Sequence, residues 1–64
     1  MNFQELIASY NENEKQYKEG NIDYNAYTKK LQELFVDDDN GVRWTIQGGT
    51  GKWLAYENNQ WVEK

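Results

Sequence analysis

The stretch Asp39-Asn40-Gly41-Val42-Arg43-Trp44-Thr45-Ile46-Gln47-Gly48-Gly49-Thr50-Gly51-Lys52-Trp53-Leu54-Ala55-Tyr56-Glu57-Asn58-Asn59-Gln60-Trp61-Val62-Glu63 decides the fold. Val42, Trp44 and Ile46 alternate with Arg43, Thr45 and Gln47, which is the two-residue period of a half-buried strand. Gly48-Gly49-Thr50-Gly51 breaks the alternation, a second strand follows over 52–57, Asn58-Asn59 turns the chain, and a third strand runs over 60–63. Asparagine tolerates the positive φ angles that a two-residue hairpin loop requires. With the first strand over 42–47, the spacing predicts a three-stranded antiparallel meander.

The loops also set the register. A loop of Asn58-Asn59 places Tyr56 opposite Trp61 and Ala55 opposite Val62. A loop of Gly48–Gly51 places Ile46 opposite Trp53, Trp44 opposite Ala55 and Arg43 opposite Tyr56. One face is then Val42, Trp44, Ile46, Trp53, Ala55 and Val62; the other is Arg43, Thr45, Leu54, Tyr56 and Trp61. The first is almost wholly apolar, and a slip of one residue in the first loop would exchange the faces of the first strand.

Upstream, the period is helical. Phe3, Leu6, Ile7, Tyr10 and Tyr17 follow helical spacing over 2–19, with Asn2 as N-cap, Glu5 in the capping-box position and Gly20 as the stop. Asp23 caps a second predicted helix over 23–36, whose stripe is Tyr24, Tyr27, Leu31, Leu34 and Phe35. The short link Gly20-Asn21-Ile22 implies an antiparallel helical hairpin. A three-stranded sheet is marginal alone, so the hairpin is expected to cover its apolar face. The expected fold is α+β in one domain over 1–64, with Phe3, Tyr27, Phe35, Trp44 and Trp53 in the core and Tyr10, Tyr17 and Tyr24 along the helix seam.

Sixty-four residues allow one small core. The chain has no Cys and no His, which removes disulfides, thiolate metal sites and the commonest general base together. Residues 1–41 hold nine acids and four bases; residues 42–64 hold two acids and three bases. A net charge of −4 gains nothing from a phosphate backbone, so no direct nucleic acid partner is expected. No apolar run reaches membrane length, and the N-terminus lacks a signal-peptide pattern. The expectation is a soluble cytoplasmic protein of a bacterium or its phage, either free-standing or one piece of a longer chain, with no membrane partner.

Motifs for chemistry fail on inspection. Gly51-Lys52 resembles the end of a phosphate loop, but that pattern needs Gly at 46 and Ser or Thr at 53, where Ile46 and Trp53 stand. Asp37-Asp38-Asp39-Asn40-Gly41 resembles part of a calcium loop, yet position twelve counted from Asp37 is Gly48 instead of Glu. The surface pair Glu12 and Glu14 has no nucleophile beside it. No catalytic residue, cofactor or metal is expected, and the chain reads as a non-enzyme.

The surplus is aromatic: three Trp, five Tyr and two Phe. Tyr56 and Trp61, beside Leu54 and Arg43 on the face away from the helices, have the composition of a protein-recognition hot spot. These four residues are the expected partner-binding site, against the plainer reading of a cross-strand pair that stabilises the hairpin. The segment Tyr17–Leu34, with its helix–Gly-x-Ile–helix pattern, resembles the SHOCT-type bacterial modules, which act as appended interaction or oligomerisation segments. Residues 39–61 are similar to small Trp-rich three-stranded repeats of bacterial regulatory proteins and, distantly, to WW domains. The WW resemblance implies a ligand groove built on a Tyr of the second strand and a Trp of the third, roles that Tyr56 and Trp61 match. WW domains lack a helical hairpin and carry a terminal Pro absent here. The expected function is thus a protein–protein interaction module. The alternative is a small acidic phage-type inhibitor whose Glu12, Glu14, Glu19 and Asp37–Asp39 imitate nucleic acid and occupy a basic groove. Self-association is compatible with either.

Overall fold

Asn2 opens the first helix by accepting the Glu5 amide at 2.8 Å, while the Glu5 carboxylate accepts the Asn2 amide at 3.0 Å. This capping box starts α1, Phe3–Lys18, in the computed structural model, which describes all residues from Met1 to Lys64. Leu6, Tyr10 and Asn13 are its buried residues, spaced to fall on one stripe. Gly20 ends the helix region with φ +77°, its amide donating to the Tyr17 carbonyl. Asp23 caps α2, Tyr24–Glu33, by accepting the Ala26 amide at 2.8 Å.

Four antiparallel strands follow in sequence order: β1 Val36–Asp37, β2 Arg43–Ile46, β3 Trp53–Glu57 and β4 Gln60–Glu63. The α+β class agrees with the sequence; the strand count does not. The second helix was expected to reach residue 36, but it stops at Glu33, and Leu34 is already extended at φ −95° and ψ 99°. The cause is burial. In extended chain Leu34 and Val36 both point inward and are buried, while Phe35 and Asp37 point outward. The Thr45 hydroxyl donates to the Leu34 carbonyl at 2.6 Å, which occupies a group the helix end would leave unpaired. β1 then pairs with β2 through Val36–Trp44 and Asp37–Arg43.

The register of the other strands is the one that the loops imply. Trp44 faces Ala55, Ile46 faces Trp53, Ala55 faces Val62 and Tyr56 faces Trp61. Asn58 and Asn59 adopt φ 51° and 65°, both left-handed, as a tight turn between β3 and β4 requires. The β1–β2 loop is built on Asp38. Its Oδ1 accepts the Asn40 and Val42 amides and its Oδ2 accepts the Trp44 indole N–H at 2.9 Å.

The core is Leu6, Tyr10, Leu34, Val36 and Ile46, with Leu31 and Trp53 packed against it. It lies between the helices and the β1–β2 side of the sheet. Several aromatic side chains sit elsewhere than their spacing in the sequence implies. Phe3 and Phe35 are exposed, and Trp44 and Trp53 are half-buried instead of central. Tyr10, expected at the seam, is in the core, and its hydroxyl donates to the Gln47 carbonyl at 2.9 Å. Tyr27 is buried as expected and stacks on Tyr17 at a centroid distance of 4.3 Å, while Tyr24 is exposed.

Glu14 ties the two layers together. Its Oε1 accepts the Tyr27 hydroxyl at 2.7 Å and the Gly49 amide at 3.2 Å. The buried Asn13 donates to the Tyr27 carbonyl at 3.1 Å. The glycine-rich loop thus serves the helix contact: it sits under Tyr10, Glu14 and Tyr27.

Candidate functional site

Alternation along the strands carries Phe35 and Asp37 of the β1 region, Arg43 and Thr45 of β2, Leu54 and Tyr56 of β3, and Trp61 of β4 to the outer face. Continuing the β2–β3 register by one pair sets Arg43 across from Tyr56. Asp37, Arg43, Tyr56 and Trp61 then form one row across all four strands, and these four side chains with Gly41 line an open depression. A second depression on the other side of Arg43 is lined in part by Phe35, Leu54 and Trp61.

The row is held by short contacts. Arg43 Nε donates to Asp37 Oδ1 at 2.9 Å, and the guanidinium carbon lies 4.1 Å from the centroid of the Phe35 ring. The Arg43 hydrogen bond keeps the Asp37 carboxyl below its ordinary range, and the same contact raises the Arg43 guanidinium above its own. Both groups are charged at neutral pH. Tyr56 and Trp61 meet edge to face at 5.1 Å and 68°. They remain 44% and 43% exposed, and Phe35 38%.

Of the four residues expected at the site, Arg43, Tyr56 and Trp61 are exposed and adjoin one depression, and Leu54 lies half-buried beside the other. Phe35 and Asp37 belong to the same surface and were not foreseen. Their signal was the alternation Leu34, Val36 against Phe35, Asp37 ahead of the Asp38–Gly41 turn, which the helical spacing of Leu31, Leu34 and Phe35 masked. No group of three Asp or Glu side chains converges as a metal would require. Asp38 directs its carboxylate to its own loop and to Trp44. No helix is long and apolar enough to cross a membrane. Comparison with protein-family models, curated proteins and solved structures finds no match for this chain.

Proposed function

We propose that this chain is a non-enzymatic protein–protein interaction module that takes a protein partner on its outer sheet face through Phe35, Arg43, Leu54, Tyr56 and Trp61. The observation that carries the reading is the Arg43 side chain, fixed by Asp37 and laid over Phe35, beside two aromatic rings that remain well exposed. Interface anchors are enriched in Trp, Tyr and Arg. A guanidinium already held in place loses little rotamer freedom when a partner arrives. The WW resemblance supports the same residues, since Tyr56 and Trp61 are cross-strand neighbours on adjacent strands. The fold would then be a helix pair that backs a sheet whose far face stays open.

The acidic-mimic alternative has less to stand on. Of its six acids, Glu14 is turned to Tyr27 and Gly49, Asp37 pairs with Arg43, and Asp38 serves its loop. Glu12 and Glu19 accept only long local hydrogen bonds, from Gln16 and Asn21 at 3.4 Å, and together with Asp39 they are too few for a run of phosphate-like charge.

The test compares immobilised wild type with Tyr56→Ala, Trp61→Ala and a Glu12→Gln/Glu19→Gln double variant, all confirmed folded, for proteins captured from bacterial lysate. A protein lost from both aromatic variants, kept by the double variant and insensitive to added salt supports the module. Loss from the double variant alone, with release by moderate salt, overturns it in favour of the mimic.

A further inference from the structure

The inner face carries an aromatic cluster that the core does not close over. Phe3, Trp44 and Trp53, together with Asp38, line an open notch, separate from the outer face that carries Arg43 and Trp61. The rings stand steeply to one another: Phe3 and Trp53 at 5.8 Å and 65°, Trp44 and Trp53 at 6.4 Å and 79°. Phe3 is exposed and both indoles are half-buried, so solvent reaches all three.

Steeply inclined rings that line one notch, with centroids this close, can lie within about 6 Å of one cation, the range over which a ring quadrupole attracts positive charge. Asp38 adds a negative charge at the same notch; its two oxygens already accept the Asn40 and Val42 amides and the Trp44 indole N–H, so it acts there through its charge and not as a vacant acceptor. The Trp44 indole N–H, and after it the Val42 amide, keep that carboxyl below its ordinary range, so it is anionic at neutral pH. A purely apolar occupant would satisfy the rings but leave the carboxylate charge beside it less hydrated and without a counterion. A strongly hydrated ion would satisfy the carboxylate but not the rings. A cation with an apolar skin satisfies both, and the net charge of −4 favours its approach. We propose that Phe3, Trp44, Trp53 and Asp38 form a binding site for a quaternary ammonium group, presented either by a free choline-type head group or by a trimethylated lysine side chain.

The test follows the indole N–H signals of the 15N-labelled full chain at constant ionic strength. Four probes are titrated: choline chloride, its neutral carbon isostere 3,3-dimethylbutan-1-ol, a short peptide bearing trimethyl-lysine, and the same peptide with plain lysine. Choline is expected to move the Trp44 and Trp53 signals saturably while Trp61 stays in place. The neutral isostere should bind about two- to five-fold more weakly, the factor an exposed cation–π contact commands. Phe3→Ala and Asp38→Asn should each weaken choline by a similar factor. Phe3→Ala removes an exposed ring outside the buried cluster and none of the Asp38 hydrogen bonds, so it remains informative if Asp38→Asn disturbs the hairpin. Tighter binding of the trimethyl-lysine peptide than of choline assigns the ligand to a protein side chain; the reverse assigns it to a free head group. Either result supports the site. Absence of a saturable shift, equal binding of choline and its isostere, an equal shift at Trp61, or full affinity in Phe3→Ala overturns it.

Discussion

The Arg43 guanidinium carbon lies 4.1 Å from the centre of the Phe35 ring, a contact made possible by the change from helix to strand after Glu33. In a helix extended to residue 36, Phe35 would share the inward stripe of Leu31. In strand it turns outward beside Asp37, and the two flank Arg43 from a neighbouring strand. One backbone transition therefore both completes the core, through Leu34 and Val36, and furnishes the outer face.

Phe35→Ala is expected to cost stability by about 0.5–1 kcal/mol, the worth of an exposed cation–π contact, instead of the ~3–5 kcal/mol lost with a buried Phe. Urea denaturation measures it. Because Arg43 keeps its Asp37 bond, the native fold should persist while partner capture weakens. A loss of several kcal/mol would mean that Phe35 belongs to the core.

Leu6→Ala and Ile46→Ala should each cost about 2–5 kcal/mol, since they remove side chains from the closed cluster. A domain of this size has little more than that in total, so both are expected to be largely unfolded by circular dichroism. Trp61→Ala removes an edge-to-face partner of Tyr56 from an exposed pair, at a cost of about 0.2–1 kcal/mol. A Trp61→Ala chain that unfolds like Leu6→Ala would contradict the placement of the outer face.

The sequence made β2 to β4 legible for a local reason. Asn58-Asn59 and the glycine loop impose their own backbone geometry, and alternation between them sets which side chains share a face. Helix starts were legible for the same reason, because Asn2, Glu5 and Asp23 act on amides three residues away. The Leu34–Asp37 segment was not, since Leu34, Phe35 and Val36 satisfy either period and only contacts with Leu6, Ile46 and Thr45 choose between them. The burial of Tyr10 and the inward turn of Glu14 depend on partners more than thirty residues away, Gln47 and Gly49. No local pattern encodes such a distance. Arg43, Tyr56 and Trp61 could be assigned to the candidate surface because register alone fixes their face; Phe35 required the missed strand.

Stability should fall in alkali through Tyr27 and Tyr10. Burial, reinforced by the Glu14 carboxylate, raises both phenols above their ordinary value. The native chain thus retains protons that the unfolded chain releases, and stability declines as pH rises past about 10, while below that both states are protonated and the contribution is whole. Tyr27→Phe has no such proton at position 27. Its melting temperature starts lower, for want of the Glu14 bond, but should fall less steeply above about pH 10. Parallel melting curves for the two chains against pH would exclude Tyr27 as the source.

Gly48 and Gly49 are glycines for different reasons, and two alanine variants should separate them. A Cβ at Gly48 would stand 2.6 Å from Leu31 Cδ1 and 2.7 Å from the Tyr27 hydroxyl, whereas one at Gly49 meets nothing within 4 Å. Gly49 instead adopts φ +82°, where a side chain is strained. Leu31 can rotate away, but Tyr27 is stacked on Tyr17 and bonded to Glu14, so it cannot yield cheaply. Gly48→Ala should therefore cost about 1–3 kcal/mol by overpacking, and Gly49→Ala about 1–2 kcal/mol by left-handed strain. In a Tyr27→Phe background the stiffest clash disappears, because the next ring atom, Cζ, is 3.4 Å from the added methyl. The cost of Gly48→Ala should then shrink by about 0.5 kcal/mol or more, the scale of coupling between touching residues, and by more than that of Gly49→Ala, whose site is linked to Tyr27 only through the shared Glu14 carboxylate. Urea midpoints of the wild type, the three single variants and the two double variants complete the two cycles. If Gly48→Ala and Tyr27→Phe prove additive, the loop does not approach the helices as closely as these distances require.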